Sequence, residues 1–161
     1  MPTPSHADHL EELRHRVNNR LSELAVQVAG HDAGLSEAIS SSLTAGGKRL
    51  RPLLTALVCE DLGGPLAPAI DAGCAAEMVH TASLILDDLP CMDDAQMRRG
   101  QPTTHRAYGE DAAILAAIAL LSGAFSTVST LRGTDAVTRN QLTKILSGAV
   151  GTRGLVAGQF R

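Results

Sequence analysis

The sequence predicts an all-α fold, and three observations support that prediction. Apolar residues recur at spacings of three and four along most of the chain, which is the period of an amphipathic helix. No segment of useful length shows the alternation that is typical of a strand. Hydrophobic residues make up 44% of the chain but aromatic residues only 2%, so a core must be built from Ala, Leu, Ile and Val, which suits closely packed helices.

Six helices are expected along the 161 residues. Glycine pairs and prolines separate them, and the short connections favour antiparallel neighbours in one domain, 1–161. The first is marked by Leu10, Leu13, Val17, Leu21, Leu24 and Val28, and the second starts at Ser36 or in the turn before it. A polar loop is expected at 89–109. The predicted helices are 8–29, 35–44, 48–62, 67–88, 111–131 and 135–149.

Composition excludes several function classes. A net charge of −3 gives no general attraction to nucleic acid or to anionic lipid. Three cysteines without a C-x-x-C pair are typical of reduced thiols in a cytoplasmic protein, and the N-terminus shows no apolar leader. Residues 112–131 carry no charge, but serines and threonines weaken the second half, so we expect a fully buried helix and no membrane span.

Four aspartates crowd the end of the fourth helix. Asp87 and Asp88 close the apolar run, and Asp93 and Asp94 follow after four residues. Carboxylates this close repel one another unless a cation stabilises them or water surrounds them. Mg²⁺ prefers oxygen ligands and binds one or two carboxylates together with substrate phosphates. The segment lacks the glycine and the distal Glu of an EF-hand and the Cys or His ligands of a zinc site.

Spacing alone leaves the second metal ligand open. On an ideal helix Asp87 faces the same way as Asp94, seven residues on, and not Asp93. Pro90 undermines that count, because it disfavours helical geometry at Leu89 and interrupts the hydrogen-bond ladder. A bulge is expected at 89–92, and either aspartate remains possible. A solvated acidic loop without a ligand is the competing interpretation.

Two basic segments supply partners for phosphate. Arg98 and Arg99 follow the aspartates, and guanidinium groups match phosphate oxygens with two parallel hydrogen bonds. Lys48, Arg49 and Arg51 lie at a glycine-opened helix start, which also favours anions. His80 lies two turns before Asp87 on the same helix face. Together these groups predict a site for two diphosphates, one held through metal and one by side chains, beside an apolar cavity for a hydrocarbon tail.

The motifs in their order resemble those of the trans-type polyprenyl synthetase family, the isoprenyl diphosphate synthases. The resemblance runs from residue 46 to the end and is nearest to the bacterial geranylgeranyl type. It rests on GGKRLRP, MVHTASLILDD, the aspartate motif DDLPCMD, RRGQPTTH and GLVAGQF.

The resemblance implies an isoprenoid synthase fold, a homodimer and head-to-tail condensation of isopentenyl diphosphate with an allylic diphosphate. It places Mg²⁺ on Asp87 and Asp93 with Asp88 in support, and so favours Asp93 over Asp94. Arg98 would hold the allylic diphosphate, and Gln159 would line the allylic side. Isopentenyl diphosphate would be held by Lys48, Arg51, His80 and Arg99.

The resemblance also implies a product length and a limit on activity. Ala82 and Ser83, where the family sets chain length, are not aromatic, so a C20 product is expected. The family's second aspartate-rich motif and the Lys-Thr pair before it do not occur in the 161 residues. The chain is therefore interpreted as the N-terminal half of a synthase, with little activity alone. The alternative is a non-catalytic partner subunit of a heteromeric prenyltransferase.

Overall fold

The computed structural model describes residues 6–159. Phe160 of the last motif lies outside that range. So do the first five residues, which contributed to the expectation that there is no leader. Within that range the chain forms eight helices and one antiparallel hairpin. They are α1 His6–Ala29, α2 Ala33–Thr44, α3 Leu50–Asp61, α4 Leu66–Asp87, β1 Met97–Arg98, β2 Gln101–Pro102, α5 Thr104–Tyr108, α6 Glu110–Ser129, α7 Ala136–Val150 and α8 Leu155–Gln159.

The fourth helix is the centre of the bundle. It packs chiefly against α6 and α3, while α1 lies across α2. Alanines are frequent among the buried residues of α4 and α6, and such small side chains let two helices approach closely. The apolar stripe of α1 is confirmed, because Leu13, Val17, Leu21 and Leu24 are all fully buried. The core is therefore aliphatic, as the composition predicts.

A glycine allows α3 to lie directly on α4. A Cβ added at Gly73 would come within 2.6 Å of the Cα of Pro52. Pro52 is the third residue of α3, where a missing backbone N–H costs no intrahelical hydrogen bond. The contact fixes the first turn of α3, and with it the basic segment before it, against the helix that ends in the aspartates.

Aspartates start two of the other helices. Asp32 accepts a hydrogen bond from the backbone of Leu35 at 2.9 Å, so α2 begins in the turn before Ser36. Asp135 caps α7 in the same way through the backbone of Thr138, at 2.8 Å. Both side chains satisfy backbone N–H groups that the first helical turn leaves free.

The region expected to be a loop, 89–109, contains regular structure. β1 and β2 pair through Met97 with Pro102 and Arg98 with Gln101. Arg99 and Gly100 connect them with φ values of 51° and 80°, and positive values at both central residues match the twist of a tight hairpin. Two-residue strands are too short to show an alternating pattern, which is why periodicity does not predict them. Helix α8 lies beyond the last predicted helix.

The expectation that the fifth predicted helix is fully buried is wrong for the described residues. Two helices, Leu66–Asp87 and Glu110–Ser129, are long and apolar enough to pass a length-and-composition test for a membrane span, which is weak evidence. The apolar window of the first is 67% buried, as in a core helix, but that of Glu110–Ser129 only 33%. Ile114, Leu115 and Ile118 are exposed on one side of α6, because the described chain packs against only its opposite side.

Candidate functional site

The aspartate motif forms a compact turn at the end of α4. Asp87 is the last helical residue and Asp88 its C-cap. The chain then folds back, because the backbone of Asp93 donates to the carbonyl of Asp87 at 2.9 Å and that of Ala95 to Asp88 at 3.2 Å. The interruption expected around Pro90 is present, so helical spacing does not govern which aspartates lie together.

Asp87 lies among other carboxylates. Burial raises the pKa of Asp87, the hydrogen bond that Gln159 Nε2 donates to Asp87 Oδ1 lowers it, and the charge of Asp93 raises it again. Asp93 is thus close enough to repel Asp87. Asp94 instead has a left-handed backbone, with φ 46°, and its Oδ1 accepts a hydrogen bond from Gln96 at 3.3 Å. This geometry supports Asp93 as the partner of Asp87.

Asp88 forms a salt bridge with Arg98. Its side chain is buried, with the residue 3% exposed, and it accepts two hydrogen bonds of 2.7 Å from Nε and Nη2 of Arg98. That pairing raises the pKa of Arg98. One edge of the guanidinium is therefore fixed, while no partner of Nη1 lies among residues 6–159. Sequence spacing does not reveal this pair, because Arg98 reaches Asp88 only through the hairpin.

Arg99 joins the two basic segments. Its Nη1 donates to the carbonyl of Gly46 at 3.0 Å. A Cβ at Gly47 would come within 2.8 Å of the same guanidinium, so the second glycine of GGKRLRP leaves room for it. Lys48 and Arg51 of this segment are exposed. The two segments, predicted separately to bind phosphate, thus meet at one surface.

His80 lies beside that surface. Burial lowers the pKa of His80, and so does the charge of Arg51; Glu77 raises it, and Arg99 and Arg98 lower it further. Three of the groups assigned to isopentenyl diphosphate by resemblance, His80, Arg51 and Arg99, therefore lie close enough to interact electrostatically. The fourth, Lys48, is exposed and lies in the segment before α3.

Arg49 is buried and paired, unlike the exposed Lys48 and Arg51, which corrects its grouping with them. It is 5% exposed and lies 3.5 Å from Glu77, and its Nε donates to Asn18 Oδ1 at 3.0 Å. A left-handed backbone, with φ 51°, turns the side chain inward. The signal in the sequence was Glu77, a charge inside an apolar helix that requires a buried partner.

A cavity of about 510 Å³ lies beside the arginines, between α2, α4, the hairpin and α5. Thr81, Leu84, Ile85 and Asp88 form its α4 wall, the face that a helix repeats every three to four residues. The predicted chain-length residues Ala82 and Ser83 are not in its lining. Both are buried on other faces of α4, and Ser83 Oγ donates to the carbonyl of His80 at 2.8 Å.

The residues fit magnesium only when substrate supplies further oxygens. Among residues 6–159, no three Asp, Glu, His or Cys side chains converge closely enough to hold a metal by themselves. Asp87 and Asp93 are hard oxygen donors that already repel each other, and Mg²⁺ commonly uses two carboxylates plus phosphate and water. Both oxygens of Asp88 accept hydrogen bonds from Arg98, which ties the guanidinium to the aspartate turn.

Comparison with known proteins identifies the relatives of this chain. The chain is 46% identical over 156 residues to the geranylgeranyl diphosphate synthase of Pantoea ananas, matching 96% of this chain and 51% of that protein. It is 52% identical over 128 residues to the chloroplastic geranylgeranyl pyrophosphate synthase 3 of Arabidopsis thaliana, matching 78% of this chain and 36% of the other. The chain thus spans about half, or less, of the length of these relatives.

The fold is similar to that of a solved synthase. The crystal structure of an FPP/GFPP synthase from Zymomonas mobilis superposes with a TM-score of 0.86 at 35% identity, covering 94% of this chain and 56% of that one. The polyprenyl synthetase model matches residues 32–161, which include both basic segments and the aspartate motif. By sequence, fold and the placement of these motifs, the chain belongs to the polyprenyl synthetase family.

Proposed function

We propose that the protein acts in Mg²⁺-dependent prenyl transfer. Isopentenyl diphosphate condenses head to tail with an allylic diphosphate, inorganic diphosphate and a proton are lost, and geranylgeranyl diphosphate is the product. One observation carries the proposal: the turn that ends α4 brings Asp87 and Asp93 next to a hairpin in which Arg98 pairs with Asp88 and Arg99 contacts the second basic segment. Acidic and basic groups so arranged suit two diphosphates. The geranylgeranyl diphosphate synthase of Pantoea ananas is a relative of matching sequence.

The first diphosphate is the allylic one. Asp87 and Asp93 would hold the metal, which would offset the charge of the departing diphosphate. Asp88 fixes one edge of Arg98, so that Nη1 is presented to phosphate oxygens without a search among rotamers. Gln159 orients Asp87 from the other side. Asp88 acts in this scheme through Arg98.

The second diphosphate is that of isopentenyl diphosphate. Arg99 is oriented by the carbonyl of Gly46, and Lys48 and Arg51 extend from the same segment. His80, whose pKa is lowered by burial, contributes a neutral ring at neutral pH, able to donate a hydrogen bond to phosphate. These residues bind the diphosphate and so orient the nucleophilic double bond of isopentenyl diphosphate towards the allylic carbon.

Two features belong to the whole protein. The exposed apolar side of α6 supports a homodimer, in which a second copy covers Ile114, Leu115 and Ile118. The chain by itself is proposed to turn over little. Its 161 residues hold one aspartate-rich motif, and the relatives are about twice as long.

Binding tests the site without requiring turnover. Inorganic diphosphate is titrated calorimetrically into the 161-residue chain with and without Mg²⁺. We expect Mg²⁺ to strengthen binding, Asp87→Asn to abolish that enhancement, and Arg98→Gln to weaken binding about ten-fold or more, since a charge-assisted pair is lost. The control Lys144→Gln, on α7, should leave the affinity unchanged. Binding that ignores Asp87 and Arg98 alike would refute the proposed site.

Complementation tests the reaction. The chain is incubated with Mg²⁺, labelled isopentenyl diphosphate and farnesyl diphosphate, alone and with the half of the Pantoea ananas synthase that it does not match. Labelled C20 diphosphate formed only in the mixture supports the proposal. Product formed equally with an Asp87→Asn chain would mean that this chain supplies no metal ligand, as expected of a non-catalytic partner subunit.

A further inference from the structure

Thr103 has an unusual hydrogen-bonding role at the start of α5. It is the N-cap residue of that helix, yet its hydroxyl makes no capping bond to the helix. Threonine at this position ordinarily accepts from a backbone N–H of the first turn. Here the hydroxyl donates instead to the carbonyl of Ala95, at 2.8 Å, across the base of the arginine hairpin. The side chain is therefore committed to the hairpin and not to its own helix.

The neighbouring histidine completes the arrangement. His105 Nδ1 lies 3.1 Å from Thr103 Oγ1. A hydroxyl has one proton, and that of Thr103 is used for Ala95, so His105 must donate from Nδ1. In a neutral ring this places the proton on Nδ1 and leaves Nε2 as an acceptor. His105 is 7% exposed, and Nε2 has no hydrogen-bond partner in the described part of the chain.

The hydrogen bonds continue to the aspartate turn. The backbone of Thr103 donates to the carbonyl of Gln96 at 3.2 Å, which closes the hairpin just before β1. The backbone of Ala95 donates to the carbonyl of Asp88, also at 3.2 Å. His105, Thr103, Ala95 and Asp88 thus form a continuous chain of contacts. We call this chain of contacts the brace, because it supports the hairpin that carries Arg98 and Arg99.

We propose that His105 and Thr103 are positioning residues for diphosphate binding, because they hold the hairpin in the position in which Arg98 bonds to Asp88 and Arg99 bonds to Gly46. The inference rests on the proposed role of the two arginines in binding diphosphate. His105 acts through Thr103 and never touches the ligand. An unpartnered buried Nε2 is retained because Nδ1 is needed for the brace.

Isosteric variants separate this role from simple packing. Thr103→Val removes the hydroxyl and keeps the shape, while Thr103→Ser keeps the hydroxyl. His105→Asn retains a donor where Nδ1 lies, whereas His105→Gln places its amide nearer the position of Nε2 and His105→Leu has none. Thr143→Val, which removes a hydroxyl bonded to the carbonyl of Arg139 on α7, is the distant control.

Two readouts are measured on the full chain: the affinity for inorganic diphosphate, and the ¹H–¹⁵N resonance of Arg98 Nε, whose proton is held by Asp88. We expect Thr103→Val, His105→Leu and His105→Gln to weaken diphosphate binding about five-fold, the worth of one lost hydrogen bond, and to shift or broaden the Arg98 resonance. Thr103→Ser and His105→Asn should restore both. Thr143→Val should change neither.

The outcomes distinguish this inference from the proposed function. If Arg98→Gln weakens binding but Thr103→Val leaves affinity and the Arg98 resonance unchanged, the brace has no positioning role and the inference is overturned. If Arg98→Gln has no effect, the proposed function fails first. Should His105→Leu not fold, the Thr103→Val and Thr103→Ser pair still decides. A thermal-stability loss without a change in the affinity of the folded chain would also count against positioning.

Discussion

The pKa of His80 responds to the charges around the site. Burial lowers its pKa from the ordinary 6.5, and Arg51, Arg99 and Arg98 lower it further, while Glu77 opposes them. The folded chain therefore holds His80 neutral at a pH where the unfolded chain protonates it. In that interval unfolding takes up a proton, so the free energy of unfolding falls as the pH falls.

We predict that stability is lost as the pH drops from the unfolded pKa of 6.5 through the lower folded value, and that His80→Gln removes this part of the loss. The measurement is urea unfolding of both proteins at several pH values from about 8 to about 5, the range in which histidine titrates. His15→Gln, a change at an exposed histidine of α1, is the control. Parallel curves for wild type and His80→Gln would contradict the prediction.

Single residues show how far sequence reasoning reaches. The charged groups and His80 were identified from charge and spacing, whereas Gln159 and the choice of Asp93 came from the family resemblance; the structure brings His80, Arg98 and Arg99 to one region. Spacing could not show that Arg49 is buried, because a run of basic residues does not indicate a left-handed backbone. Nor could it show that Asp88 is taken by Arg98, since that contact depends on the hairpin.

At the scale of elements, the contact between α3 and α4 depends on one missing side chain. A Cβ at Gly73 would overlap the Pro52 backbone, which cannot swing away as a flexible side chain would. The two helices would have to separate. Since Lys48 and Arg51 flank the start of α3, their distance from His80 on α4 would change as well.

We predict that Gly73→Ala destabilises the chain by up to about 2 kcal/mol, an overpacking cost of about 1 to 3 kcal/mol reduced by about 1 kcal/mol through the better helix propensity of alanine. Thermal unfolding followed by circular dichroism measures the effect. Gly148→Ala, on α7, is matched, because nothing lies within 4 Å of an added Cβ there, and should be neutral or stabilising. An equal response of the two variants would refute the close-packing argument.

The helices were predictable as elements because their apolar period and their glycine punctuation agree. Predicted and observed bounds for α1, α3 and α4 differ by two residues or fewer at each end. The hairpin was missed for a physical reason. Its pairing involves two residues on each strand, and its turn uses Arg99, not an asparagine, at a positive φ.

At the scale of the whole molecule, α6 is the element that the described chain leaves half covered. Ile114, Leu115 and Ile118 are exposed on one side, and Ile118 is 57% exposed. Apolar patches of this kind mark association surfaces in soluble proteins. The sequence predicted the apolar character of this helix but wrongly predicted that it is fully buried, because the extent of burial depends on which helices pack against it.

We predict that the chain self-associates through α6 and that Ile118→Lys weakens the association. Light scattering after gel filtration should give twice the 16.8 kDa of one chain for wild type and a value near 16.8 kDa for the variant. Val26→Lys changes an equally apolar exposed residue on α1 and should leave the mass unchanged. Loss of association in both variants, or in neither, would exclude α6 as the interface.

The bond between Arg99 and Gly46 joins residues that are 53 positions apart in the chain. Forming such a contact requires the entropy of closing the intervening loop to be overcome first. A chain that has α4 and its aspartates but not this contact lacks the assembled basic surface. Diphosphate affinity should therefore appear only once the contact has formed, and a rapid-mixing experiment with diphosphate would time the completion of the native state.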